Sequence, residues 1–528
     1  MAAAVGRPLR AALRRHEQEL AFALAAAALC ALGMAPLASL VVREGSAWLD
    51  SSMPLASSGA LVLLLRSVAL STLVTLLALA IGTPLGVLVG RTNARGRSAA
   101  ALLHAFPVFL PPFLLALGWF QLFGVSGLLG SEATSRALFS EIGVVFVLAL
   151  AFTPIATSLV ALGLQALDPG LEEAARVVAG PWRVVTRILI PAAAPALILA
   201  AIVVFTLAFS ELGVAMFLRV DSFPAAVFSR LGGVDYAPGE ALALVLPLVP
   251  LALLLLAAER RFVGARCFAV FGLRSGREDR LELGRFRPAA SVALWLAALV
   301  PAAPIGALAW RALSEGGLAE AAPWIGSAPW NSLSSAAVAA TAIVGIGLVL
   351  GHAAARRLRG AAALDAAAVL AFVAPAAVLG IGLIGLWNRP TLQWVYGSGG
   401  ILVVGYVARY SVIGVRTIGS LVAQTPLHVE EAAAAAGAGF CRRLTRILLP
   451  LHARGIGFAW LLALVFCLRD LELAILFYPP GGEPLTVRLF TLEANAPAPV
   501  VAGLALLHVT MTAAVLGAGG FLLRRSAT

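Results

Sequence analysis

The chain reads as long apolar runs cut by short polar islands. Twelve runs recur, at about 19–42, 67–90, 99–124, 141–163, 192–218, 239–258, 289–313, 332–355, 361–386, 399–422, 452–477 and 499–522. Each is close to the roughly 20 apolar residues that cross a bilayer as a helix. Inside lipid the backbone must satisfy its own hydrogen bonds, so the runs predict helices rather than loops or open strands. The predicted fold class is an all-α polytopic membrane protein with about twelve transmembrane helices.

The pattern also repeats. Ser67, Gly82, Gly86 and Arg91 match Ser332, Gly347, Gly351 and Arg356, each 265 positions on. Pro111 and Gly118 match Pro375 and Gly382 at 264, and Gly180 and Pro191 match Gly439 and Pro450 at 259. Glu211 is paired with Glu472 at 261. Preserved order with slow drift is what small indels do to a tandem duplication. An even number of helices per copy keeps both copies in the same orientation, so they are parallel repeats about an axis along the membrane normal. The first repeat is placed at 1–258 (core 60–258) and the second at 289–528 (core 331–522). The basic stretch 259–288 between them is expected to be a linker whose charges form a solvated surface facing lipid headgroups.

Composition sharpens this. The 528 residues are 61% hydrophobic and only 12% charged, with mean hydropathy +0.97, against about 25% charged in soluble proteins. The net charge of +12 does not point to nucleic acid, because the arginines cluster between helices. Arg7 to Arg15, Arg91 to Arg97, Arg260 to Arg287, Arg356 to Arg359 and Arg524–Arg525 all fall on one side if twelve helices follow a cytoplasmic N-terminus. That is the positive-inside pattern, and it puts both termini in the cytoplasm. Cys30, Cys267, Cys441 and Cys467 are scattered without a CxxC and indicate neither zinc nor a disulfide framework. His104, His352 and His508 read as packing residues. The first run lacks a small-residue cleavage site and is expected to be a retained helix.

The duplicated islands carry the chemistry. In the second, Pro426 opens a turn, and Glu430 and Glu431 fall where carboxylates favour a helix N-terminus. Ala432 to Ala436 continue that helix and Gly437 and Gly439 end it. Arg442, Arg443 and Arg446 then precede Ile447-Leu448-Leu449-Pro450, where Pro450 opens the next membrane helix. The first island holds Glu172, Glu173, Ala174 and Ala175, then Gly180 and Thr186-Arg187-Ile188-Leu189-Ile190-Pro191. A row of alanines flanked by charge lets another surface come close.

These residues resemble the EAA loop of importer-type ABC transporter permeases. There Glu-Ala-Ala, a glycine six residues after the glutamate, and a terminal Ile-x-Leu-Pro recur. The second island fits throughout, with Glu431, Ala432, Ala433, Gly437, Ile447, Leu449 and Pro450. The first departs, since Ala179 stands six residues after Glu173, Gly180 follows it, and Pro191 comes one residue early. Along most of the chain the sequence is similar to the fused, double-length permeases of the ferric-iron group. Phe106-Pro107, Pro111-Pro112, Leu117-Gly118-Trp119, Asn331-Ser332-Leu333, Ala408-Arg409-Tyr410, Asp470-Leu471-Glu472-Leu473 and Pro479-Pro480-Gly481-Gly482-Glu483-Pro484 carry that likeness. Thiamine and aminoethylphosphonate permeases look much the same.

The resemblance implies two six-helix repeats of the ABC importer permease type in a bacterial inner membrane. It implies that each loop is a coupling helix seated on a separate cytoplasmic ATPase subunit, two in all. A soluble periplasmic or lipid-anchored binding protein would deliver the solute, since the outer segments are too short to fold as a binding domain. No lysine occurs anywhere in the chain, so no Gly-x4-Gly-Lys phosphate loop exists in it. No cofactor is expected. Ferric iron is the first candidate cargo, with thiamine, a polyamine or aminoethylphosphonate as alternatives. A twelve-helix secondary transporter is the rival architecture, but it offers no reason for a doubled loop.

Charge within a spanning helix is costly and usually functional or paired. Glu211, Glu472 and Asp470 are expected to line the outer part of a translocation route. The competing expectation is that Arg469 and Asp470 pair locally while Glu211 reaches to the outer interface. Arg409 and Arg416, seven residues apart on one face, are expected to pair with the loop glutamates, and Asp365 to sit at a helix start as a dipole partner.

Overall fold

The computed structural model describes residues 2–40, 42, 58–167, 170, 174–175, 177, 179–232, 248–262 and 281–525. Among the described residues every regular element is helical, and one isolated bridge joins Thr92 to Leu281. Among the described residues seven unbroken helices are long and apolar enough to cross a membrane: α1 (His16–Leu40), α2 (Gly59–Arg91), α5 (Glu141–Gln165), α9 (Gly284–Ser314), α10 (Ala328–Ala355), α13 (Gly400–Ala423) and α17 (Ala498–Arg525). Four further spans are bent pairs. These are α3 (Arg97–Phe109) with α4 (Pro112–Phe123), α6 (Trp182–Ala192) with α7 (Ala194–Ser210), α11 (Ala361–Val373) with α12 (Ala376–Trp387), and α15 (Phe440–Leu451) with α16 (Ala453–Arg469). Counting each pair once gives eleven spans, each falling on a predicted run. The run at 239–258 lies partly outside the described residues; α8 (Leu248–Phe262) covers its end.

The runs at 99–124 and 361–386 are not straight rods. Each turns by 106° just before a matched proline, Pro111 or Pro375. The residue ahead of a proline is pushed out of the helical region. Leu110 and Ala374 accordingly take ψ 152° and 131°. The duplication thus copies a break in the membrane as well as two loops.

The first helix of each repeat packs on the other repeat. Ala25 and Leu29 of α1 are buried with Leu350, Ala368 and Val415. Leu294 and Ala298 of α9 are buried with Leu85, Ala94 and Ala100. The exchange is reciprocal down to single atoms. A Cβ on Gly118 would stand 2.3 Å from the Pro304 carbonyl oxygen of α9, and one on Gly382 would stand 2.6 Å from that of Pro36 in α1. Only glycine admits such an approach. Both contacts are new information, because spacing alone does not say which helices touch.

The expected linker is a solvated surface only in part at its described ends, where Arg261, Glu282 and Arg285 are exposed but other residues bond the helices. Glu259 is buried at 1% exposure and bonds Arg416 at 2.7 Å. Arg260 bonds Asp365 at 2.9 Å. At the far end Leu281 N donates to the Arg91 carbonyl and Leu283 N to Asn93 Oδ1. Residues 263–280 lie outside the described residues.

Candidate functional site

The second loop begins with α14 (Leu427–Ala435), entered from Pro426 in an extended conformation. Glu430, in its first turn, is buried at 3% exposure. Its Oε1 accepts from Arg356 Nε at 2.9 Å and Nη2 at 2.6 Å, and its Oε2 bonds His352 Nε2 at 2.8 Å. Arg356 Nη2 also donates to the Thr425 carbonyl, which ties the loop to the end of α10. Burial pushes the Glu430 carboxyl up, but His352 and Arg356 outweigh it and hold it down at about 2. Glu431, Ala432, Ala435 and Ala436 are exposed. The adjacent glutamates therefore differ: one anchors the loop and the other is presented on it. Gly437 takes φ +96°, its N–H donates to the Ala434 carbonyl at 3.0 Å, and Ala438 N donates to Ala433 O at 2.9 Å. That is the left-handed helix end expected of it.

In the first loop Glu172 and Glu173 lie outside the described residues. Ala174 is exposed and Ala175 is buried against Leu164, Val184 and Leu189. Gly180 is exposed, with no heavy atom within 4 Å of a Cβ placed there. Arg91 donates to the Leu164 and Leu167 carbonyls, the part that Arg356 plays at Thr425. Downstream, the matched Val-Thr-Arg-Ile-Leu and Leu-Thr-Arg-Ile-Leu segments each form a five-residue π-helical turn, Val185–Leu189 and Leu444–Leu448. Pro191 and Pro450 follow within the same interfacial helices, α6 and α15. The chain then bends by 64° into α7 and by 88° into α16, so Pro450 precedes the membrane helix instead of opening it.

Both α7 and α16 stop in a charged cluster between the repeats. Glu211 (φ −67°, ψ 119°) ends α7, and Asp470 (φ −71°, ψ 116°) ends α16. Glu211 Oε1 accepts from Val214 N at 3.1 Å and Asp470 Oδ1 from Leu473 N at 2.9 Å, each starting the next short helix. Asp470, not Glu472, is thus the counterpart of Glu211, and the 259 offset of the loops runs on unbroken. The earlier pairing at 261 fails because it matched residue type rather than the break in the helix. Glu472 lines the same hollow as Glu211 and takes Arg409 Nη2 at 2.7 Å. Tyr410 donates its hydroxyl to Asp470 Oδ2. Arg469 does not pair with Asp470; its Nη1 reaches the Val108 carbonyl of the first repeat. Glu211 is 5% exposed and does not reach to the interface. The cluster lines a small hollow bordered by Pro111 and Phe113. Among the described residues no three His, Cys, Asp or Glu side chains gather as a metal-holding group.

The family model for "binding-protein-dependent transport system inner membrane component" matches residues 82–264. A probable molybdenum ABC transporter permease of Haloferax volcanii is 31% identical over 187 residues, 35% of this chain and 67% of that protein. The chain belongs to the binding-protein-dependent inner-membrane permeases. A putative ferric transport system permease of Haemophilus influenzae aligns with 73% of the chain at 23% identity, and the match spans 65% of that relative's length. A molybdenum transport permease of Azotobacter vinelandii is 28% identical over 33% of the chain and 82% of its own length.

Within this permease, sequence reasoning misassigned three basic or acidic partners. Arg409 and Arg416 do not meet the loop glutamates. Arg409 joins Glu472 and Asp470, while Arg416 joins Glu259 and, at 3.0 Å, Asp365. Asp365 is consequently an ion-pair member beside α8 rather than a dipole partner. His352, read as packing, is a ligand of Glu430. A lone histidine in an apolar run carries no signal of that. The nearest hint was Arg356, four residues on and hence on the same helix face, at a position duplicated from Arg91.

Proposed function

We propose that the chain is the translocating subunit of an ATP-driven importer in a bacterial inner membrane, with both termini cytoplasmic. Two cytoplasmic ATPase subunits would take the two loops, and a soluble or lipid-anchored binding protein would load the opposite face. The observation that carries this reading is the second loop. It holds Glu430 rigidly inside while presenting Glu431 and an alanine row outside, as a docked helix requires.

The mechanism follows from connectivity. α14 leads through α15 and one sharp bend into α16, whose last residues are Arg469 and Asp470. Movement of an ATPase against α14 would lever α16 and pull on the Arg409–Glu472, Tyr410–Asp470 and Arg469–Val108 bonds. Breaking and remaking these bonds, of which Arg469–Val108 crosses from the second repeat to the first, is the alternating-access step. Transport by this chain needs no ATP chemistry of its own. The domain division at 258 and 289 belongs to the same reading, each repeat serving one ATPase.

For the cargo we favour ferric iron. The Haemophilus relative is named for ferric transport, and the acidic charge of Glu211, Asp470 and Glu472 around the hollow would favour a cation passing it rather than hold one as a ligand set. An oxyanion is the second reading, supported by Arg409 and Arg469 in the same cluster and by the relatives named for molybdenum. The deciding experiment reconstitutes the chain with its co-purifying ATPase and binding protein in liposomes. Stimulated ATP turnover with uptake of labelled ferric iron supports the reading; uptake of molybdate instead replaces the cargo. Uptake driven by an ion gradient without any ATPase overturns the importer.

A further inference from the structure

The turn between α2 and α3 borders a basic hollow of about 540 Å³. Among the described residues Asn93, Arg95, Arg97, Ser98 and Arg287 line it, and no carboxylate does. The hollow lies on the coupling-loop side, because Arg91 at the end of α2 bonds the carbonyls that end α5. Its frame is fixed. Arg95 N donates to Ser291 Oγ at 2.8 Å, Arg287 Nε to the Asn93 carbonyl at 2.9 Å, and Arg97 Nη1 to the Val89 carbonyl at 2.9 Å. Below the hollow, Leu102 of α3 and Val292, Trp295, Leu296 and Leu299 of α9 are exposed and continue as an apolar face into the spanning segments.

The other repeat shows that the fold does not demand this charge. Gly96 (φ +69°) starts α3 and its counterpart Gly360 (φ +83°) starts α11. Arg359 matches Arg95, but Ala361 stands for Arg97. Aligning α1 with α9 by Pro36 and Pro304 sets Glu19 against Arg287. The same backbone thus carries Arg95, Arg97 and Arg287 in one repeat, and Arg357 (against Asn93) and Arg359 with the carboxylate of Glu19 in the other.

We propose that the hollow binds the phosphodiester headgroup of an anionic phospholipid, with its acyl chains on the exposed face of α3 and α9. Guanidinium groups suit a phosphodiester through paired N–H donors. The basic side of the bilayer is where anionic headgroups are drawn. A free phosphate would share the headgroup chemistry but would make no use of the apolar face. The site also touches the linker end, since Leu281 and Leu283 bond Arg91 and Asn93, so a bound lipid would brace the connection between repeats. This inference does not depend on the importer reading.

The test is native mass spectrometry of the full chain released from detergent with phosphatidylglycerol or with phosphatidylcholine of the same acyl chains. The expected result is one retained phosphatidylglycerol per chain, held at least tenfold better than phosphatidylcholine. Arg95→Glu should remove most of that preference, because Arg95 is exposed and holds the frame only through its backbone N–H. Arg359→Glu at the matched position should leave it in place. Equal retention of both lipids, or equal loss in both variants, overturns the proposal. An inorganic phosphate arm separates the sources: displacement of the lipid by millimolar phosphate, with phosphate alone raising the unfolding temperature, would mean a free-anion site and would also overturn it.

Discussion

The two duplicated loops, which we propose to be coupling loops, differ at the glycine that follows their alanines. The second is closed at both ends, by the Glu430–His352–Arg356 bonds and by the left-handed turn at Gly437. In the first, Gly180 stands in open space one residue late, while the π-helical turn and bend that follow match the second loop. The difference teaches that the π-helical turn and the bend below each loop are kept where the place of the glycine has shifted. What both repeats retain is the lever into α7 or α16 and the acid, Glu211 or Asp470, at its far end.

The largest effect should come from Glu430. Glu430→Ala leaves His352 and Arg356 without their shared partner, and breaking a buried pair costs about 3 kcal/mol. Loss of ATPase co-purification is expected, together with a lower unfolding temperature. Glu431→Ala should lose coupling without the stability loss, because its side chain is exposed. If both variants unfold alike, the division between anchor and presented residue is wrong.

Next comes the glycine comparison. Gly437→Ala forces a side chain into φ +96°, at a cost of about 1 kcal/mol. Gly180→Ala meets open space and should change stability by less than about 0.5 kcal/mol. ATPase turnover of the two variants, measured side by side, sharpens the comparison. Equal loss in both would mean that the first loop also needs its glycine for docking.

What the sequence disclosed, and what it hid, follow the same division. Runs of 20 apolar residues and repeated short strings are local, so the spans, the second loop and the glycine at its end were legible. The exchange of α1 and α9 between repeats was not, because Gly118 and Gly382 show their meaning only when Pro304 and Pro36 arrive from elsewhere in the chain. Glu211 was matched to Glu472 by residue type. The structure matches it to Asp470 by backbone and by the N–H each carboxylate caps. Arg416 and Asp365 were each noticed, yet their common partner across α8 depended on Glu259, which looked like part of a linker.

The central acids should give a smaller effect on stability and a visible one on transport. Glu211→Gln keeps an oxygen that can accept the capping N–H and should cost no more than about 1 kcal/mol. Asp470→Asn keeps its cap but removes a charge beside buried Arg409 and should cost more. Glu472→Gln breaks the pair with Arg409, which is 1% exposed, and should cost more. Uptake by all three should fall while assembly with the ATPase persists. Unchanged uptake in Glu211→Gln would remove that residue from the route and leave it as a helix cap.

The smallest effect is in pH, and its sign is fixed by Glu430. A carboxyl held at about 2 in the folded loop, against an ordinary value of 4.5, adds stability that is fully present above 4.5 and is lost as pH falls through 2. A fluorophore on the exposed Cys441 next to the loop, with Cys30→Ser and Cys267→Ser and with Cys467 buried, reads its mobility. Anisotropy should fall as pH drops from about 4.5 towards 2. The same dye on a cysteine at exposed Val177 reads the first loop. Two curves that coincide would mean that the loops are anchored equally and that the drift at Gly180 has no mechanical consequence. A first-loop signal that is lower throughout would place the difference in the docking helix itself.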